Sequence, residues 1–411
     1  MSRFKAVPFI RSVLLGALCL AGSGAIAQQP AAPSAAPATA GAEGVAAQSL
    51  KSVGSFDNLP VGIAVSKDGR TFLAFSRAID PKNPYSVAEL KDGKPQLYPP
   101  GLKQDEGSPA PDRLLAVQAL TVDARNRLWI LDSGKVGTNA ILPGTPKLLA
   151  VDLGTNKVVR TVTFPSAIAG ATAFLNDVVV DLSRGKEGMA FLTDASGEGP
   201  NGLVVVDLAT GHATRRLNDH PSTKSDPDRV LNIHGQPLVQ KQGPAIGEPV
   251  RLGSDGIALS ADGRWVYYSP LTSHHLYRVS ADALGDMKRG DADVVATVED
   301  LGDKGFASDG LLGDAQGRIY LTDLENDAIH RRTPDGKTEL VVKSPQLRWP
   351  DSMALEPDGT LVFTVTQIDL SPRFQGKDAR VKPFQVYEVK TDSKPLMRGG
   401  TPPAQGRTPR H

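Results

Sequence analysis

Residues 254–270 read SDGIALSADGRWVYYSP. The stretch has a polar start at Ser254-Asp255-Gly256, an unbroken apolar run from Ile257 to Leu259, a turn at Ala261-Asp262-Gly263, and a second run from Trp265 to Tyr268. A short apolar run bounded by turn signals fits a strand packed on both faces, and Asp-Gly between two such runs signals a tight hairpin. The unit recurs as VGIAVSKDGRTFLAF from Val61, QALTVDARNRLWILD from Gln118, NDVVVDLSRGKEGMAFLTD from Asn176, DGLLGDAQGRIYLTD from Asp309 and DSMALEPDGTLVFTV from Asp351. Its leading apolar residues are Ile63, Leu120, Val178, Ile257, Leu311 and Met353, spaced by 57, 58, 79, 54 and 42 residues. A four-stranded propeller blade takes roughly 40–50 residues, so each unit is one blade with its loops. The long gap predicts an insertion within residues 218–250. Helical periodicity is nearly absent. The fold expected is all-β, a single six-bladed β-propeller over 49–390, closed by a strand within residues 50–56 lying beside 384–389.

The 411 residues are 40% hydrophobic, 22% charged and 5% aromatic, and 46 basic against 45 acidic residues leave a formal charge of +1. Without a basic excess, neither nucleic acid nor an acidic membrane surface is an expected partner. The body has no apolar run of the ~20 residues that a spanning helix needs, so no integral membrane segment is expected there. Residues 1–27 read as a Sec-type signal peptide: Arg3, Lys5 and Arg11, a short apolar run over 12–22, and Ala25-Ile26-Ala27 for cleavage before Gln28. The one cysteine, Cys19, lies inside it, and bulky Leu18 before it argues against a lipid anchor. A secreted or periplasmic chain without disulfides is therefore expected. Residues 28–48, rich in Ala, Pro and Gly, read as a flexible linker, and 391–411 as a disordered tail.

In a propeller the first strand of each blade lines the axis, so the residues opening those strands ring one mouth of the channel. Here they are Val61, Gln118, Asn176, Asp255, Asp309 and Asp351. Three carboxylates brought together are costly unless a cation offsets them or one stays protonated. Gln118, Asn176, Asp255, Asp309 and Asp351 are accordingly the candidate ligand-binding residues for a small molecule. Asn176, Asp255 and Asp309 are the candidate metal ligands, their hard oxygen donors suiting Ca²⁺ or another divalent cation, and an organic ammonium answers the same electrostatic need. Asp255, Asp309 and Asp351 are the candidate catalytic groups, one abstracting a proton with its pKa raised by the other two. The competing reading is that these side chains cap turns; their convergence in a concavity is what favours a site. Asp132, Asp194 and Asp323, each closing a second strand, are expected to cap turns. His274 and His275 should point to opposite faces of a strand, His220 and His234 should be loop residues of the insertion, and Trp129, Trp265 and Trp349 should be core. No phosphate loop, zinc pattern or nucleophile elbow is present.

Several stretches resemble the major royal jelly and Yellow protein family in a bacterial-type member: SVAELKDGKPQLYP from Ser86, LLAVQALTVDARNRLWILDSG from Leu114, LNDVVVD from Leu175, GLVVVDLATG from Gly202, SDGIALSADGRWVYYSPLTSHHLYRV from Ser254 and SDGLLGDAQGRIYLTD from Ser308. The resemblance implies a secreted six-bladed propeller with a central ligand channel, in a family that includes dopachrome-converting enzymes and binders of biogenic amines. The chain is more distantly similar to the regucalcin and gluconolactonase family of metal-dependent lactonases. There Asp309 in Ser308-Asp309-Gly310 matches a metal ligand, while Asp255 stands in place of an Asn and Val61 near the place of a Glu. The functions implied are small-molecule binding with a tautomerase-type activity, metal-assisted lactone hydrolysis, or a scaffold without chemistry.

Overall fold

The computed structural model describes residues 50–104, 110–137, 139–243 and 245–399. The expected signal peptide, the linker and residues 400–411 lie outside the described residues. Six four-stranded antiparallel sheets follow one another along the chain. Their innermost strands are Gly62–Val65, Val117–Val122, Leu175–Asp181, Ser254–Leu259, Leu311–Gly313 and Pro350–Leu355, in blades 1 to 6. Each inner strand touches those of both neighbouring blades, and the strand of blade 6 touches that of blade 1, so the ring is closed. All six sequence anchors fall on these strands. Closure is by Lys51–Phe56, which pairs antiparallel with Phe384–Lys390 and sets Phe56 opposite Phe384.

The core is a wheel of seams between blades. Trp129 and Leu131 of blade 2 pack with Val178, Leu192 and Val204 of blade 3, while Phe191 and Leu203 of blade 3 pack with Val266 and Tyr268 of blade 4. This is why second strands such as Arg127–Asp132 and Ile319–Asp323 are apolar at successive positions: each face of the sheet meets a neighbour. Their closing aspartates cap turns as expected. Asp132 accepts the N–H groups of Leu115, Ala116 and Gly134 at 2.7, 2.9 and 3.0 Å; Asp194 accepts those of Phe174 and Ser196, and Asp323 those of Glu325 and Asn326.

The insertion holds a single 3₁₀ turn, Pro221–Thr223, and a two-residue hairpin, Asn232–Ile233 with Gln236–Pro237. Its Leu231, Ile233 and Leu238 join Trp349 and Phe374 in one apolar cluster. Among the described residues, the α-helices are short and lie in connections, at Ala281–Gly285, Asp291–Val295 and Pro372–Gln375. Among the described residues, no helix is long and apolar enough to cross a membrane.

One boundary needs correction. Residues 391–399, read from composition as the start of a disordered tail, lie against the propeller face opposite the candidate ring: Ser393 is buried, and Leu396 and Met397 pack onto the seams of blades 4 and 3. Composition counts prolines, glycines and charges; it does not register that the side chains of Thr391, Asp392, Ser393 and Arg398 each have a waiting partner.

Candidate functional site

The mouth of the channel is shaped by irregular strand starts. Register shifts interrupt the inner strands between Val117 and Ala119, Leu175 and Val178, Ser254 and Ile257, and Pro350 and Met353. In each of these four blades the inner strand accommodates one extra residue, which re-aims side chains that strict alternation would send to opposite faces. The freed backbone groups find threonines on the second strands. The Thr193 hydroxyl accepts from the Asp177 N–H at 3.0 Å and donates to the Asp255 carbonyl; Thr364 accepts from Ser352 at 3.1 Å and donates to the Val61 carbonyl at 2.9 Å; Thr322 accepts from Asp309 at 2.9 Å. Two of these hydroxyls thus sew one blade to the next at the level of the ring.

Four carboxyls meet there. Asp255 hydrogen-bonds to Asp309, and Asn176 donates its side-chain amide to Asp255. Asp309 also accepts the Trp349 indole N–H at 2.7 Å. Asp177 accepts the backbone N–H of Val178 at 2.8 Å and that of Ile257 at 3.4 Å. Burial, then the charges of Asp309, Asp351 and Asp177, holds the Asp255 pKa well above the usual carboxylate range. Asp351 is pushed well above it by burial and by the charges of Asp309 and Asp177. Asp177 rises to about 7, by burial first and the Asp309 charge second, against the pull of its two backbone donors. Asp309 is raised by burial too, but the indole N–H and the bond from Asp255 act to keep it ionised. Asp177 and Asp351 keep partial contact with solvent in the channel, yet enough protein surrounds them for desolvation to dominate. The set therefore has a division of labour in direction: the indole N–H and the bond from Asp255 favour negative charge on Asp309, while burial and the neighbouring charges favour the protonated form of Asp255.

Of the residues expected in the ring, Asn176, Asp255, Asp309 and Asp351 come together. Gln118 is turned to the seam with blade 1, where its side-chain oxygen accepts from Ser76 at 2.6 Å. Asp177 was not anticipated, since alternation from Asn176 places it on the other face and only the bulge overrules that; the paired polar residues in Asn176-Asp177 were the available signal. Trp349 was expected to be core, and it is buried, but its indole belongs to the site. Its φ of +58° is a left-handed conformation that bulky residues rarely adopt, held by bonds from Thr366 to its carbonyl. The other candidates are structural. His274 and His275 go to separate carboxylates, Glu325 and Asp300, His220 caps Pro221–Thr223, and His234 bonds Asp327 at 3.0 Å. Trp129 donates to Asp123, and Trp265 lies under the Arg278 guanidinium.

Trp349→Phe tests the division of labour. Keeping the ring while deleting the N–H should cost about 1.5–3 kcal/mol at pH 7, the range for a bond to a charged group, and clearly less at pH 5, where Asp309 carries less charge. Urea unfolding at the two pH values measures this; equal losses would mean that only packing was disturbed.

A divalent metal does not fit these side chains. Among the described residues, no three His, Cys, Asp or Glu side chains are disposed to hold a metal ion. Asn176 directs its amide N–H₂ at Asp255, Asp309 is engaged by Trp349, and apolar Val61 completes the ring.

Fold and site thus define a six-bladed propeller with a proton-sharing carboxyl cluster at one end of its axial channel. The chain belongs to the major royal jelly protein family, whose model, described as Major royal jelly protein, matches residues 115–386. It is 30% identical to major royal jelly protein 3 of Apis mellifera over 242 residues, covering 56% of this chain and 41% of that one. It is 29% identical to protein yellow of Drosophila pseudoobscura pseudoobscura over 203 residues, covering 48% and 34%. The chain thus spans less than half the length of these relatives. Among solved structures, a luciferin-regenerating enzyme is similar at a TM-score of 0.53 and 11% identity, over 85% of this chain and 97% of that one. A calcium-binding regucalcin from Agrobacterium tumefaciens is similar at 0.50 and 15%, over 84% and 94%. At such identities the likeness speaks for the fold alone.

Proposed function

We propose that this propeller binds a small organic cation, an aromatic amine in particular, at the carboxyl-lined mouth of its axial channel, and that the Asp255–Asp309 pair equips it for proton transfer of the tautomerase type. The observation that carries the reading is the convergence of Asp177, Asp255, Asp309 and Asp351, whose ionisation is mutually suppressed. A bound ammonium would stabilise their charged forms, so binding should release protons and strengthen as pH rises. For a carbonyl or imine substrate, ionised Asp309 would take the proton from the adjacent carbon while neutral Asp255 delivered its own at the other end of the conjugated system. The pair would finish with its protonation states exchanged. Metal-assisted lactone hydrolysis has less support, because the donor set does not suit a metal, and nothing singles out a pure scaffold. A secreted or periplasmic location remains part of the proposal.

The test is a thermal-shift titration with dopamine and serotonin, with and without chelator, alongside Ca²⁺, Mg²⁺ and Mn²⁺ alone. The expected outcome is an amine-dependent rise that survives chelator, grows between pH 6 and 8, and is lost in Asp309→Asn. Calorimetry in two buffers of different ionisation heat should show proton release. A rise with metal alone, accompanied by lactone hydrolysis, would favour the lactonase; no response to any of these would sink the amine reading.

A further inference from the structure

The channel has a second end, and the chain's own C-terminal segment lies across it. Residues 391–398 touch in succession the hairpin turns that follow the inner strands of blades 6, 5, 4 and 3. Thr391 donates its N–H to Gly359 at 3.2 Å. Asp392 receives the Arg318 guanidinium at 2.9 Å on both oxygens, Ser393 donates to Asp314 at 2.7 Å, and the Lys394 carbonyl accepts from Ala315 at 3.0 Å. Arg398 then reaches the Ala261 carbonyl and the Ser183 hydroxyl, both at 3.0 Å. Blades 6 and 3 face each other across the ring, and Pro395, Leu396 and Met397, which lie between those contacts, line one cavity with inner-strand residues of blades 1, 2, 5 and 6, which places the segment over the axis. The turns are cut to receive it: at Gly359, with φ of +88°, a Cβ would run into the Ser393 carbonyl.

Beneath the crossing is a chamber of about 90 Å³, lined by Ile63, Leu120, Leu312 and Met353 of blades 1, 2, 5 and 6, and by Leu396 and Met397 of the segment. Ile63, Leu120 and Met353 stand two positions further along the same strands than Val61, Gln118 and Asp351. The chamber therefore begins about 7 Å below the ring and ends about 13 Å below it, at ~3.3 Å per residue.

We propose that residues 391–399 are the floor of the axial channel, making it a pocket entered only past the carboxyl ring, with Leu396 and Met397 as the side chains that a descending ligand meets. The floor stands on geometry alone. Its role in limiting ligand length rests on the proposed binding at the ring.

Thiol accessibility tests the floor without any ligand. In the 411-residue chain carrying Cys19→Ser, which has no other cysteine, Val122→Cys places a thiol at the far end of the channel, and Gln118→Cys places a reference thiol at the level of the ring on the seam with blade 1. Each is treated with N-ethylmaleimide and with a bulky polyethylene-glycol maleimide, first with the floor intact. The measurement is then repeated with Asp392→Ala and Arg398→Ala together, and with residues 391–411 deleted. The expected result is that releasing the floor speeds bulky-reagent modification at position 122 at least tenfold and leaves position 118 within twofold. If the deletion does not fold, the double substitution gives the same reading. A lower melting temperature with unchanged reactivity at position 122 would show a clamp that closes nothing, and the proposal would fall whether or not amines bind at the ring.

Discussion

Between pH 5 and pH 7 the folded chain should lose stability, and Asp255→Asn should recover part of that loss. Burial pushes the Asp177 carboxyl of the folded chain up to about 7, from an ordinary value of 3.8. Over this interval the unfolded chain has already released that proton and the native chain still holds it, so the native state binds more protons and ∂ΔG/∂pH is negative. At 1.36 kcal/mol per unit, and with the native group half deprotonated by pH 7, Asp177 alone removes about 2 kcal/mol between pH 5 and 7. Asp255 and Asp351, also raised by burial and by their neighbours' charges, act in the same direction. Carboxylates lowered by partners, such as Asp262 at about 2, have the opposite sign, but their contribution is complete by pH 5. Above pH 7 buried Lys304, lowered to about 7 by desolvation, adds a rising contribution, so the test is confined to the lower interval. Asparagine at 255 keeps a donor for Asp309 and an acceptor for Asn176 while removing one ionisable group. The variant should therefore match the wild type near pH 5, unfold at higher denaturant concentration at pH 7, and show a shallower slope. Wild-type stability that climbs from pH 5 to 7, or a variant running parallel to it, would contradict the charge account of the cluster.

Asp132→Ala should do the reverse and do it severely. Asp132 is fully buried; its two oxygens satisfy three backbone N–H groups, and Oδ2 lies 3.4 Å from the buried Lys147 ammonium. Truncation leaves three donors without partners and a buried cation without its counter-charge. Each orphaned group costs about 1–3 kcal/mol, so a loss of about 4 kcal/mol or more is expected, at the extreme of what single substitutions do. Asp132→Asn retains one acceptor oxygen and should lose roughly half as much. Urea midpoints at constant slope give both numbers. A loss below about 1 kcal/mol for the alanine variant would mean that water or a shifted loop replaces the carboxylate. Asp132 and Asp255 both stand at recurring positions of the repeat, yet removing the carboxyl should destabilise at one and stabilise at the other.

The number of blades and the level of the ring were legible in the sequence alone. Strand, polar turn and strand repeat at blade-sized intervals, with Asp-Gly in three of the six turns, and the pattern follows from short-range physics: apolar runs must be buried on both faces, and tight turns need particular residues. The capping role of Asp132, Asp194 and Asp323 was legible for the same local reason. What only the tertiary structure decided depends on phase and on distant partners. A one-residue bulge rotates Asp177 into the cluster, and Trp349, 40 residues beyond Asp309 in the chain, delivers the N–H that keeps it ionised. Residues 391–399 look like linker in composition but find Arg318, Asp314 and the turns of four blades. A side chain's direction at a bulge and the partner of a polar group across a ring are set by the closed assembly of six sheets, which no window of sequence contains.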